Sequence, residues 1–179
     1  MWEWIGPAVT ASVVSGIVTA TGWWASHRNS LEIEKLRRAE KIRDHKSALD
    51  AEIASNLGRF EAIDLAGHLS DMRGRFAAAS TRGERYTPLV PRYATTFVFD
   101  SLLADISLLP NDAIDAVVRY YKCEHMLSLF VDDLRSEAFA TRTNEIKGDM
   151  YADYIDIIGE TMTLGRAARA VIARTGTEP

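Results

Sequence analysis

Hydrophobic and polar positions divide the 179-residue chain into three stretches of different pattern. Residues 4–26, WIGPAVTASVVSGIVTATGWWAS, mix apolar and small residues without a formal charge. Residues 30–46 are rich in charges of both signs and poor in apolar side chains. From Leu49 onward, Leu49, Ile53, Phe60 and Ile63 recur at helical spacing as the stripe of a helix facing a core, with the polar Asn56 inside it, where a lone Asn sets register or hydrogen-bonds a neighbouring backbone. The pattern predicts one long helix from Asn29 to about Ala79. Asn29 is its expected cap and Glu32 the reciprocal partner, with soft points at Gly58, Gly67 and Gly74. Gly83, Pro88 and Pro91 make residues 80–92 a loop, and Pro110 ends one or two short helices over 93–109. A helix capped by Asn111 should run to about Ala140, and another, capped by Thr143 or Asn144, to about Arg174. Strand alternation and internal repeats are lacking. The fold class is all-α: an N-terminal transmembrane helix, a long juxtamembrane helix and an antiparallel helical bundle.

The uncharged stretch carries the membrane reading. As a helix it is roughly 34 Å long, enough for a hydrocarbon core of about 30 Å. Trp2 and Trp4 stand at one end and Trp23 and Trp24 at the other, where indole rings favour the headgroup level. Pro7 falls in the first turn, where a missing N–H costs nothing. A cleaved signal peptide would start with basic residues, and this chain starts Met1-Trp2-Glu3-Trp4. A buried core helix gives no reason for tryptophans at both ends, and an interfacial helix needs a charged face. Arg28, Lys35, Arg37 and Arg38 follow the span and no Lys or Arg precedes it, so the N-terminus is expected outside and the rest cytoplasmic, in a single-pass inner-membrane protein.

Two partners follow from this segment. Ala8, Ser12, Gly16 and Ala20 form a small-residue stripe at every fourth position, which lets another membrane helix approach closely. That helix would be a second copy or a subunit of a larger complex. The cations Arg28, Lys35, Arg37 and Arg38 are candidates for contact with anionic lipid headgroups, diluted by Glu32, Glu34, Glu40 and Asp44. A solvated stalk explains the same charges, with Glu34/Arg38 attractive and Glu40/Asp44 repulsive at i,i+4.

The helix after Asn111 is apolar on two sides. Ala116, Tyr120, Cys123, Leu127, Phe130, Val131 and Leu134 form the expected core face. Ile114, Val118, Tyr121 and Leu129, with His125 among them, form a second stripe, to be covered by the 93–109 segment or by another chain. On the last helix Tyr151, Ile155, Ile158 and Met162 face inward, and Asp149, Asp153, Asp156 and Glu160 face solvent.

Composition narrows the function classes. A net charge of −4 and a pI near 5.6 disfavour nucleic-acid binding, and cations are not interleaved with aromatics. The lone Cys123 rules out an internal disulfide framework and agrees with a reducing compartment. The chain has no phosphate-binding glycine loop, nucleophile elbow, H-E-x-x-H or paired Glu-x-x-His motif. Glu61/Asp64/His68 and Cys123/Glu124/His125 are the nearest approaches to a catalytic or metal cluster. No catalytic residue, metal site, cofactor or small-molecule substrate is assigned.

Three features together carry a resemblance: the N-terminal span with its charged helix, the segment Glu52-Ile53-Ala54-Ser55-Asn56-Leu57, and the run from Leu108-Leu109-Pro110 to Tyr120-Tyr121. The chain resembles uncharacterised bacterial single-pass membrane proteins with a cytoplasmic helical domain. The resemblance implies a membrane-tethered helical module and carries no activity. Expected divisions are 1–27 (anchor), 28–48 (charged juxtamembrane helix), 49–175 (cytoplasmic bundle) and 176–179 (frayed tail). The expected function is a non-enzymatic scaffold or accessory subunit of a membrane complex. Alternatives are a membrane-tethered metal-dependent enzyme or sensor, and a lipid or envelope regulator.

Overall fold

The computed structural model describes residues 5–92 and 96–174, with side chains of residues 22–24, 26–92 and 96–174. It is an all-α helical bundle. The elements are α1 (Ile5–Glu61), α2 (Leu65–Thr81), α3 (Phe97–Leu102), a 3-10 helix η1 (Leu103–Leu108), α4 (Asn111–Leu134), α5 (Glu137–Ala140) and α6 (Asn144–Arg174). These residues fall into two compact units that part between Asp44 and His45. Among the described residues, no helix is long and apolar enough to cross a membrane. The side chains of residues 5–21, on which the expected span rests, lie outside the described residues.

In the first unit the backbone is helical from Ile5, so Asn29 lies inside α1 and caps nothing, contrary to the sequence expectation. A capping side chain acts only where the chain enters a helix, and no breaker interrupts α1 before that point. Residues 26–41 are exposed along every face. Arg43 lies between Glu40 (3.9 Å) and Asp44 (4.0 Å), so the expected like-charge pair is bridged. All three side chains are well solvated, and such pairs contribute little to stability.

The second unit holds the core in two clusters. Leu49, Ile53 and Leu57 of α1 meet Ala113, Val117 and Tyr120 of α4 and Ala168 and Ile172 of α6. Phe60, Met72 and Phe76 meet Leu127 and Val131 of α4 and Tyr151 and Ile155 of α6. Helix α6 is common to both. It packs tightly at Gly165, where an added Cβ would lie 2.8 Å from Leu57 Cδ2 and 3.0 Å from Tyr120 Cε2.

Three element boundaries differ from expectation, two of them for a local reason. The helix expected over 29–79 breaks at residues 62–64, because the Asp64 carboxylate accepts the Gly67 amide (3.1 Å) and starts α2 anew. Ile63 therefore leaves the core stripe and is 42% exposed. The helix expected to reach Ala140 ends at Leu134, because the Ser136 hydroxyl accepts Phe139 N–H (3.1 Å) and opens the short α5. Asn111 is the first helical residue of α4, and Pro110 occupies the cap position without a side-chain bond. The Thr143 hydroxyl faces the Ile146 amide (3.5 Å) at the start of α6, as expected for a cap.

The expected loop over 80–92 begins within the last turn of α2. Gly83 adopts φ +69° while its own N–H bonds Ser80 O (3.0 Å) and the Glu84 N–H bonds Ala79 O (2.9 Å). This is a left-handed helix terminator that glycine adopts at no steric cost. The loop is then clamped by α6: Asn144 Oδ1 accepts Tyr86 N–H (3.1 Å), and Asn144 Nδ2 donates to Glu84 O (2.8 Å) and Ser80 Oγ (3.1 Å). Lys147, fully buried, donates to Tyr86 O (2.9 Å) and Thr87 Oγ1 (3.0 Å). Burial pulls the Lys147 ammonium below its ordinary pKa, and Arg85 nearby adds to the effect.

Candidate functional site

Helices α1 and α4 place six polar side chains opposite one another inside the apolar interior. Glu52, Asn56 and Arg59 are spaced four and three residues apart, which stacks them along one face of α1. Tyr120, Tyr121 and Glu124 meet them from α4. Glu52, Asn56, Tyr120, Tyr121 and Glu124 are buried, and the Arg59 side chain is 16% exposed.

At the first rung, the Glu52 carboxylate gathers three donors. Tyr121 donates its hydroxyl to Oε2 (2.5 Å), Val98 its amide to Oε1 (2.8 Å) and Phe99 its amide to Oε2 (3.1 Å). Those amides belong to the first turn of α3, whose own cap residue Thr96 makes no side-chain capping bond. Glu52 thus satisfies from another helix the N–H groups that a helix start leaves open. The Phe99 ring stacks on Tyr121 at 4.0 Å, closing the site.

Burial chiefly, and the Glu52 carboxylate next, hold the Tyr121 phenol well above its ordinary pKa. At the second rung the Asn56 amide lies beside the Tyr120 phenol and favours its ionised form. Burial outweighs this contact, so Tyr120 too stays neutral far into the alkaline range. The Tyr120 hydroxyl itself makes no well-aligned hydrogen bond among the described residues.

The third rung is an ion pair. Arg59 Nη2 donates to Glu124 Oε1 (2.5 Å), Arg59 Nε donates to Asn56 O (2.8 Å), and the guanidinium lies over the Phe60 ring at 5.0 Å. Glu124 Oε2 is buried with no hydrogen-bond partner among the described residues. The pair lines a cavity of about 120 Å³ with Phe60, Leu127, Ser128, Val131 and Tyr154. A larger groove, about 350 Å³, shares Phe60, Pro91 and Tyr154 with it and runs past His68 and Tyr151.

The residues singled out in the sequence scatter. The side chains of Ala8, Ser12, Gly16 and Ala20 lie outside the described residues, and Arg28, Lys35, Arg37 and Arg38 are exposed on α1. The second apolar stripe of α4 divides in two. Tyr121 is buried under Phe99 and Ile114 is half-buried against the core, whereas Val118 and Leu129 are 42% and 54% exposed. Tyr121 is therefore no surface residue, because Glu52 draws its hydroxyl inward. Ala116 and Phe130 are only half-buried; Ala113, Val117 and Glu124 hold the interior instead.

Neither candidate cluster converges. Asp64 is spent as a helix cap, Glu61 lies 3.8 Å from Arg166, and His68 Nε2 shares a hydrogen bond with Tyr151 Oη (2.8 Å). Burial pushes the Tyr151 phenol up to about 12. Cys123 packs on Thr161 Oγ1 (3.2 Å), and burial raises its thiol pKa, the opposite of what a nucleophile needs. His125 points to solvent. Among the described residues, no group of three His, Cys, Asp or Glu side chains could hold a metal ion. No known protein family, curated protein or solved structure matches the chain.

Tyr120, Tyr121 and Tyr151 predict an alkaline transition. A phenol whose folded pKa exceeds its unfolded value of 10.0 contributes stability that is complete below pH 10 and lost as pH rises further. Unfolding titrations should show stability falling above pH 10, with a shallower fall in Tyr121→Phe. A Tyr121→Phe profile parallel to wild type would deny the phenol this role.

Proposed function

We propose that the chain is a non-catalytic, single-pass membrane protein that acts as a scaffold or accessory subunit through helix–helix contacts. The carrying observation is the exposure of α1 before the bundle. Trp23 and Trp24 are 69% and 59% exposed, and Leu31 and Leu36 further along are uncovered as well. Trp23 stacks on His27 (5.5 Å) and Arg28 lies over Trp24 (5.2 Å), so each indole sits beside a polar or cationic neighbour. An apolar ring with a polar edge suits the headgroup level of a bilayer.

In this reading, Arg28, Lys35, Arg37 and Arg38 face anionic headgroups on the cytoplasmic side, worth about 1 kcal/mol each close to the surface. The span then associates through Ala8, Ser12, Gly16 and Ala20 with a second copy or with a larger subunit. In lipid, close packing rather than water exclusion drives such association. The exposed Val118 and Leu129 offer the bundle a further contact.

Gly16→Ile places a branched side chain on the small-residue stripe, and Val14→Ile adds only a methylene elsewhere. Cross-linking in native membranes should give strongly reduced adducts for Gly16→Ile and wild-type adducts for Val14→Ile. Equal adducts from both variants would reduce the span to a tether and leave association to the bundle.

A further inference from the structure

The cavity at the Arg59–Glu124 end of the polar ladder has the makings of a ligand site. One wall is apolar, from Phe60, Leu127, Val131 and Tyr154. The other presents the Arg59–Glu124 pair, with Ser128 beside it. Glu124 is 1% exposed, and its Oε2 has no hydrogen-bond partner among the described residues, although Oε1 is held by Arg59. A buried carboxylate oxygen without a donor is costly, and any donor that reaches it relieves that cost.

We propose that this cavity binds a small neutral molecule that places one N–H or O–H donor on Glu124 Oε2 and an apolar body against Phe60, Leu127 and Val131. Three arguments fix the ligand class. Glu124 Oε2 is an acceptor, so the ligand group that meets it must donate. The Arg59 guanidinium already neutralises Glu124, and Arg92 on the rim is held by Asp132 (2.6 Å), so the site carries no net charge that would favour a cation. At about 120 Å³ the cavity is slightly smaller than the ~150 Å³ apolar cavity that accommodates benzene, so the body is a five-membered ring or a short branched chain. This site is independent of membrane anchoring, and its test does not bear on the anchor.

Pyrrole and furan have the same ring size, and only pyrrole carries an N–H donor. The full chain in detergent is titrated with each, at free concentrations corrected for micelle partition, and followed by amide chemical shifts. Pyrrole should shift the amides of Leu127, Ser128 and Val131 and bind at least about tenfold more tightly than furan, the advantage of a hydrogen bond to a carboxylate. Glu124→Gln turns an amide N–H₂ or a weaker acceptor toward the ring and should erase that preference. The comparison of the two rings on the wild-type chain stands even where Glu124→Gln fails to fold. Equal binding of the two rings, shifts confined to other surfaces, or no binding would overturn the proposal. Tighter binding of pyrrolidinium than of pyrrole would overturn it too, since the site would then read charge.

Discussion

Arg59→Leu is expected to destabilise the bundle by about 3–5 kcal/mol, the cost of leaving a buried charge without its partner. Glu124 is 1% exposed and its Oε1 depends on Arg59 Nη2, so losing the guanidinium strips a buried carboxylate of its cation. Glu124→Leu should cost a similar amount from the other side of the pair. The double variant Arg59→Leu/Glu124→Leu removes both charges and should recover most of the loss, because well-packed apolar substitutes for a buried ion pair are often neutral or better. Urea denaturation of the three variants checks this in one experiment. Single variants that each lose less than about 1 kcal/mol would place the pair among solvated surface bridges instead. The wild-type pair sets residue 59 of α1 against residue 124 of α4.

Gly165→Leu should lose at least about 1–3 kcal/mol, the cost of overfilling a packed core. The first added carbon would already stand 2.8 Å from Leu57 and 3.0 Å from the Tyr120 ring. The Leu57 methyl ends can swing aside, but Tyr120 is fully buried between helices and cannot. Gly159, on the same helix, has open space where its Cβ would be. Gly159→Ala should therefore stabilise, by up to about 1 kcal/mol, through helix propensity alone. Thermal unfolding of the two variants should move in opposite directions. Equal shifts would mean that α6 does not approach α1 and α4 as closely as described.

The physical basis of what was legible differs from residue to residue. The stripe Leu49, Ile53, Asn56, Phe60 announced the core face of α1, since burial repeats with the helical period. Loop 80–92 and the two short elements before Pro110 followed from glycine and proline, which act locally. The acidic stripe Asp149, Asp153, Asp156 and Glu160 is exposed as expected, because charge avoids the core.

The polar ladder was hidden for the same reason. Charged side chains such as Glu52, Arg59 and Glu124 are ordinarily exposed, and only the fold sets them against Tyr121 and each other, 65 to 69 residues away along the chain. One signal was available: Glu52, Asn56 and Arg59 share the face of Leu49, Ile53 and Phe60, and so do Tyr120 and Glu124 with Leu127 and Val131. Charged residues on two core stripes imply that they meet. The breaks at Asp64 and Ser136 were equally local, yet neither residue announces whether it caps a helix or decorates one.

The membrane anchor is the central claim, and topology labelling tests it most directly. Cys123 is buried, so it stays unlabelled on either side and reports nothing about topology. The informative pair is Glu3→Cys, ahead of the proposed span, and Asp156→Cys, on the exposed face of α6. An impermeant thiol reagent on intact cells should label Glu3→Cys at once and Asp156→Cys only after the membrane is opened. Labelling of Asp156→Cys in intact cells, or recovery of the whole chain in the soluble fraction without detergent, would contradict it.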